Sequence, residues 1–140
     1  MELIMTRINC IDPELLADQH LFIEFREITR VHSLHRELKD YGKYVLGTGH
    51  VKFFYNKGLY LAKRLEALTA EMDKRKRWNY TPKTYKTHCK PSLHLDWEPN
   101  KADKLANLIR LSKKIVERPG FYTYNGTKVS DDFYSKLMVI

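Results

Sequence analysis

Apolar residues recur at helical spacing in three stretches of the chain. In the first, Leu21, Phe25 and Ile28 stand at i, i+4 and i+7, and the stripe continues through His32 and His35. Asp12-Pro13-Glu14, just ahead of Leu15, has the form of a helix start: an aspartate N-cap, proline at the first helical position and an acid in the electropositive first turn. The pattern predicts a helix from Asp12 to about Leu38, ended by Asp40-Tyr41-Gly42. Leu61, Leu65, Leu68 and Met72 mark a second helix, from about Leu59 to Lys76, whose basic end suits the negative pole of the helix dipole. Asn100 and Asp103 resemble a capping box and open a third helix through Leu105, Leu108, Ile109, Leu111 and Ile115, which Arg118-Pro119-Gly120 stops.

The segments between carry no clean period. Val45 to Val51, with glycines at 47 and 49, reads as a packed loop, and residues 78–99, with Pro82, Pro91 and Pro99, as a long irregular connection whose role is not legible. Phe121 to Lys128 is an aromatic-rich tail with a turn at Asn125-Gly126. No stretch alternates convincingly, so the expected fold is all-α. The 140 residues should form one compact domain of three main helices, long connecting loops and that tail.

Charge changes the picture. Lys and Arg number 25 against 17 for Asp and Glu, a formal +8, and so basic a surface attracts polyanions, nucleic acid first among them. Cys10 and Cys89 are too few for a disulfide framework and lack metal-ligand spacing, so neither metal nor cofactor is expected. Apolar runs of a few residues are far short of the roughly 20 that span a membrane, and the amino end lacks the pattern of a signal peptide. A soluble, cytoplasmic, monomeric protein is expected.

Rotation of about 100° per residue gathers Gln19, His20, Ile23, Arg26, Glu27 and Arg30 onto one mostly polar arc of the first helix. An acid among bases there suits a carboxylate that shuttles protons while arginines hold phosphates, although mixed charge is also what an ordinary solvated face looks like. Arg110, Lys113, Lys114 and Arg118 on the third helix are a phosphate track or simply its wet side. Phe121, Tyr122 and Tyr124 either stack on an unstacked base, with Lys128 nearby for phosphate, or close the core.

Met5-Thr6-Arg7-Ile8-Asn9, then Leu16-Ala17-Asp18-Gln19-His20-Leu21 and Glu24-Phe25-Arg26-Glu27-Ile28-Thr29-Arg30-Val31, closely resemble the phage-type pyrimidine-dimer DNA glycosylases, known as endonuclease V in T-even bacteriophage. The resemblance resumes at Leu46-Gly47-Thr48-Gly49-His50-Val51-Lys52-Phe53-Phe54-Tyr55, at Arg110-Leu111-Ser112-Lys113-Lys114-Ile115 and at Glu117-Arg118-Pro119. It implies a mainly helical repair enzyme acting on double-stranded DNA that contains cyclobutane pyrimidine dimers, kinking the duplex and flipping out a base opposite the lesion. It also implies that the nucleophile is the α-amine of Thr6, which attacks the sugar of the 5′ nucleotide, expels the base and leaves an imine through which the strand is nicked by β-elimination. Glu27 matches the family's essential carboxylate and Arg26 and Arg30 its phosphate-binding arginines, with Arg7, Gln19 and His20 completing the lining.

Two departures shape the expectations. Met1-Glu2-Leu3-Ile4 precede Met5, and while they are attached the Thr6 nitrogen is an amide that cannot form an imine. The expectation is that residues 1–4 are foreign to the mature enzyme, that translation starts at Met5 and that Met5 is removed. The family's Trp-Tyr-Lys-Tyr-Tyr-Gly motif reads Phe121-Tyr122-Thr123-Tyr124-Asn125-Gly126, so the same lesion class is expected with weaker or altered discrimination. The alternative is a noncatalytic damaged-DNA-binding module silenced by the extension. A basic adaptor for acidic proteins or membrane surfaces has charge alone behind it.

Overall fold

The computed structural model describes residues 7–32, 37–84 and 90–138. Among them are four α-helices: α1 (Asp18–His32), α2 (His50–Phe53), α3 (Gly58–Arg75) and α4 (Lys101–Glu117). A two-stranded antiparallel hairpin pairs β1 (Thr123–Tyr124) with β2 (Thr127–Lys128). The all-α expectation holds, with the hairpin as its one addition. It closes at Asn125-Gly126, both at positive φ (51° and 88°), the conformation a two-residue hairpin turn requires.

The core lies between α1 and α3. Leu21, Phe25 and Ile28 of α1 meet Leu61, Leu65, Leu68 and Met72 of α3, all buried, and Leu108, Leu111 and Ile115 of α4 join the same cluster. These are the three apolar stripes of the sequence. The α4 boundaries also hold: Asn100 accepts from the Asp103 N–H at 2.8 Å, Asp103 accepts from the Asn100 N–H at 3.0 Å, and Arg118 caps the far end.

The first helix departs from expectation at both ends. Asp12-Pro13-Glu14 starts a 3-10 turn, Pro13–Leu15, with Asp12 Oδ1 accepting from the Glu14 N–H, and Leu16 is then extended. The reason is competition for backbone groups. The carbonyls of Pro13 and Glu14, which a continuous helix would give to residues 17 and 18, instead accept from Arg75 Nη2, and Glu14 also accepts from the Tyr124 hydroxyl at 2.6 Å. The Ala17 N–H donates to Tyr134 Oη at 2.7 Å. Tertiary partners therefore delay α1 until Asp18. At the other end Glu37 and Leu38 are not helical, and His35 and the His32 side chain fall outside the described residues. The 45–51 loop likewise gives way at His50 to the single turn of α2.

Two buried ionic knots tie the elements together. Glu24 of α1 receives Arg64 of α3 through two bonds, 2.7 Å and 3.0 Å, and a third from the Asn9 amide at 2.8 Å. Arg64 also donates to the Ile11 carbonyl at 2.6 Å, while Asn107 of α4 donates to Asn9 and accepts from the Cys10 N–H. The second knot is Asp18, whose carboxylate accepts from Arg75, the Thr123 hydroxyl and the N–H groups of Asn125 and Gly126. It fastens the tail to the start of α1. Burial alone would raise the Asp18 carboxyl, but those bonds outweigh it and hold it below the ordinary value of 3.8.

The described parts of the connection, 78–84 and 90–99, pack against the helices, and 85–89 lie outside the described residues. Trp78 stacks on Phe22, Tyr80 meets Phe25 edge-on, and Lys83 donates to the Arg26 carbonyl at 2.7 Å, so the first part lies along α1. Farther on, Leu95 exchanges backbone bonds with Asn56, Leu59 and Tyr60 at the start of α3.

Candidate active site

On α1, Glu27 sits between two arginines, 3.8 Å from Arg26 Nη2 and 3.7 Å from Arg30 Nη1. The carboxylate is sheltered, its side chain 15% exposed, while the arginines are 56% and 47% exposed. The asymmetry has chemical content. The two guanidinium groups are open to solvent and the acid between them is partly withdrawn from it, an arrangement that can bind phosphate and hold a proton-handling group. Lys83 is a third cation here, missed in the sequence because it lies in the aperiodic connection. Its ammonium is anchored on the carbonyls of Phe25 and Arg26, and burial and then the nearby Arg26 and Arg30 lower its pKa.

His20 lies two helical turns from Glu27, about 10 Å along the same face. It is buried, stacks on Tyr122 with ring centroids 4.6 Å apart, and places Nδ1 2.8 Å from Tyr134 Oη. Burial first, then Arg110 and Lys114 of α4, push its pKa down to about 3. The imidazole is neutral at physiological pH.

The described start of the chain is held nearby by a second neutral histidine. His50 Nε2 accepts the Ile8 N–H at 2.8 Å while its Nδ1–H donates to the Val45 carbonyl, also at 2.8 Å, which settles its tautomer. The preceding Gly49, at φ 93°, makes the turn that brings this ring inward. Burial lowers the His50 pKa to about 4, with contributions from Arg7 and Arg110 in the same direction. Burial and Arg7 likewise lower the pKa of half-buried Arg110, so Arg7, His50 and Arg110 form one cluster at the point where the chain leads back toward Thr6. Thr6 itself lies outside the described residues.

The remaining predicted residues have mixed placements. Gln19 is occupied, donating to Thr123 Oγ1 at 3.1 Å and accepting the Thr123 N–H at 2.9 Å, which makes it a clamp on the tail. Lys114 is exposed and 3.6 Å from Glu117; Arg118 lies over the Phe121 ring at 3.6 Å. Tyr122 is buried, and Tyr124 is held by the Glu14 carbonyl with Arg75 over its ring, so of the three tail aromatics Phe121 alone is well exposed, at 40%. A groove of about 840 Å³ lies elsewhere, lined by Tyr60, Trp97, Leu105 and Leu108 with charges of both signs, Asp12 and Asp96 among the acids and Lys63 and Arg64 among the bases. Its lining is mainly apolar, and a duplex needs an open cationic face more than an apolar groove.

The family of pyrimidine dimer DNA glycosylases matches residues 5–89, well over half of the chain, including α1, α2 and α3 in full. The chain belongs to that family. Membership makes the cationic face of α1 part of a DNA-repair protein of the pyrimidine dimer DNA glycosylase type, whose DNA substrate carries pyrimidine dimers. No helix among the described residues is long and apolar enough to cross a membrane, and no three of their His, Cys, Asp or Glu side chains are grouped to hold a metal ion.

The two neutral histidines of this glycosylase carry a stability consequence. Each takes up a proton in the unfolded chain near 6.5 but not in the folded one until about 3 (His20) or 4 (His50), so stability is full above 6.5 and declines as pH falls below it. Asp18 adds its own loss only below 3.8. Urea midpoints measured from pH 8 to pH 4.5 are expected to be level at first and then to drop below about pH 6.5; a midpoint level throughout would contradict the burial of both rings as neutral species.

Proposed function

We propose that this glycosylase is bifunctional, with the α-amine of Thr6 as nucleophile once processing has freed it from Met5. The neutral amine attacks C1′ of the dimer's 5′ nucleotide, and the bond from C1′ to the base breaks, with the base leaving on its electron pair and taking up a proton. Opening of the sugar ring gives an imine. Loss of a proton from C2′ and departure of the 3′ phosphate then nick the strand, and water hydrolyses the imine to restore the amine.

The observation that carries this reading is Glu27, sheltered between Arg26 and Arg30 on the same face of α1 as His20. Two supports are independent of it. The family match begins at Met5, one residue before Thr6, and His50 holds Ile8 in the cluster of Arg7 and Arg110. Chemistry favours an α-amine: with an ordinary pKa of about 7.7 to 8.0, some 10 to 20% is neutral at pH 7, against under about 0.1% of an ordinary lysine. Glu27 moves the protons, Arg26 and Arg30 hold phosphates beside the lesion, and Arg110, Lys114 and Arg118 extend the contact along α4. Phe121 is the aromatic available to a displaced base.

Borohydride added during turnover tests the reading. It should reduce the imine and leave protein covalently bound to dimer-containing DNA, with the attachment mapped by mass spectrometry to Thr6 as the first residue. Absence of any adduct, or an adduct on a lysine, would overturn it. The cations are separately testable. Lys83→Ala is expected to weaken binding to damaged and undamaged duplex alike and to reduce the slope of log affinity against log salt by about 1. An unchanged slope would remove Lys83 from the phosphate-binding set.

A further inference from the structure

Tyr134 comes from the turn at residues 131–134, more than a hundred positions beyond α1, yet its ring is fully buried against the start of that helix. Its oxygen accepts the Ala17 N–H at 2.7 Å and lies 2.8 Å from His20 Nδ1. A phenol has one proton to give. If His20 carried its own proton on Nδ1, the hydroxyl proton of Tyr134 would be stranded in the core with no acceptor, because the Ala17 N–H already occupies the other side of the oxygen. The hydroxyl therefore donates to Nδ1, and the imidazole proton resides on Nε2. That N–H is buried and meets no acceptor among the described residues. The ring cannot turn away to find one, being stacked on Tyr122 and packed against Tyr134.

A neutral donor without a partner, beside the cations Arg110 and Lys114 of α4 and with no carboxylate in contact, has one kind of natural complement: an oxygen bearing negative charge. On the reading of this face as the DNA site, we propose that Tyr134 is a positioning residue for the reaction, fixing His20 as the Nε2–H tautomer so that, when the duplex seats and the contacts covering that edge of the ring shift, it donates to a phosphate oxygen of the damaged strand. His20 then acts without any change in its own charge, and the groups facing it, Arg110 and Lys114 from α4, Tyr122 and Tyr134 from the tail, include none that would draw a second proton onto the ring.

Nitrogen-15 NMR of the imidazoles in the DNA-free protein tests the tautomer. His20 should show a protonated Nε2 and an unprotonated Nδ1, unchanged from pH 8 to pH 5; a proton on Nδ1 would overturn the proposal. In Tyr134→Phe the His20 shifts should move toward a tautomer mixture, and turnover on dimer-containing duplex should fall by about 10-fold to 100-fold with KM nearly unchanged. In a His20→Ala background the same substitution should cost no further turnover. Equal costs in both backgrounds would mean that Tyr134 acts only through the stability of the fold. Should Tyr134→Phe fail to fold, the tautomer in the unsubstituted protein decides. That measurement needs neither DNA nor Thr6, so a failed borohydride reaction with an Nε2–H His20 would indict the nucleophile and leave the positioning of the ring standing.

Discussion

Glu27→Gln is expected to lower glycosylase turnover by at least about 100-fold while DNA binding persists. The geometry separates the two effects. Glu27 pairs with both Arg26 and Arg30, and replacing it with a neutral amide of the same shape leaves both guanidinium groups in place while removing an anion that offsets them. The potential over the face becomes more positive, so affinity for duplex should hold or rise slightly, and the salt dependence should steepen. What is lost is a base. An amide cannot accept a proton from the sugar, and the amino-terminal nitrogen, its lone pair engaged in the imine, cannot take over as the base. Single-turnover rates on a duplex with one defined dimer, beside equilibrium binding of the same duplex, check the prediction. Turnover close to that of the unsubstituted protein would remove Glu27 from the chemistry.

Arg64→Met should destabilise the fold by about 3–5 kcal/mol, lowering the thermal midpoint by about 10–20 °C. Glu24 is about 1% exposed and has no route to water, so without the guanidinium it keeps a charge in the core with only the Asn9 amide as partner. The Ile11 carbonyl loses its donor as well. The double variant Glu24→Leu with Arg64→Met removes charge from both sides and is expected to recover most of the loss, since a well-packed apolar pair can equal a buried ion pair in stability. Calorimetry of the single and double variants decides; a single variant within about 1 kcal/mol of the parent would mean that Glu24 finds solvent or neutralises without cost.

Much of this was legible in the chain because it rests on local pattern. Leu61, Leu65, Leu68 and Met72 face inward because helical spacing and core burial ask for the same residues, and the capping box at Asn100 is a local motif that needs no distant partner. The arc of His20, Glu27 and Arg30 was visible for the same reason. The failures share an opposite cause. Asp12-Pro13-Glu14 has every local sign of a helix start, but Arg75, Tyr124 and Tyr134 reach in from α3 and the tail and claim the backbone groups a helix would use. No local reading shows a guanidinium arriving from residue 75. Sequence shows the polarity of Gln19 and the aromaticity of Tyr124 without showing the partners that Thr123 and the Glu14 carbonyl supply. Lys83 and Tyr134 were invisible for the complementary reason, lying in stretches without a period whose placement depends on packing.

The way the hairpin is fastened has a consequence of its own. Beside the Gln19 clamp, the Tyr124 hydroxyl and the buried rings of Tyr122 and Tyr134, the hairpin is held by one carboxylate, Asp18, collecting donors from Thr123, Asn125 and Gly126. A clasp of that kind releases when its anion is titrated, whereas the apolar contacts of Leu21, Phe25 and Ile28 with α3 carry no titratable group. In strong acid the molecule should open from its carboxyl end first, with the two long helices still paired.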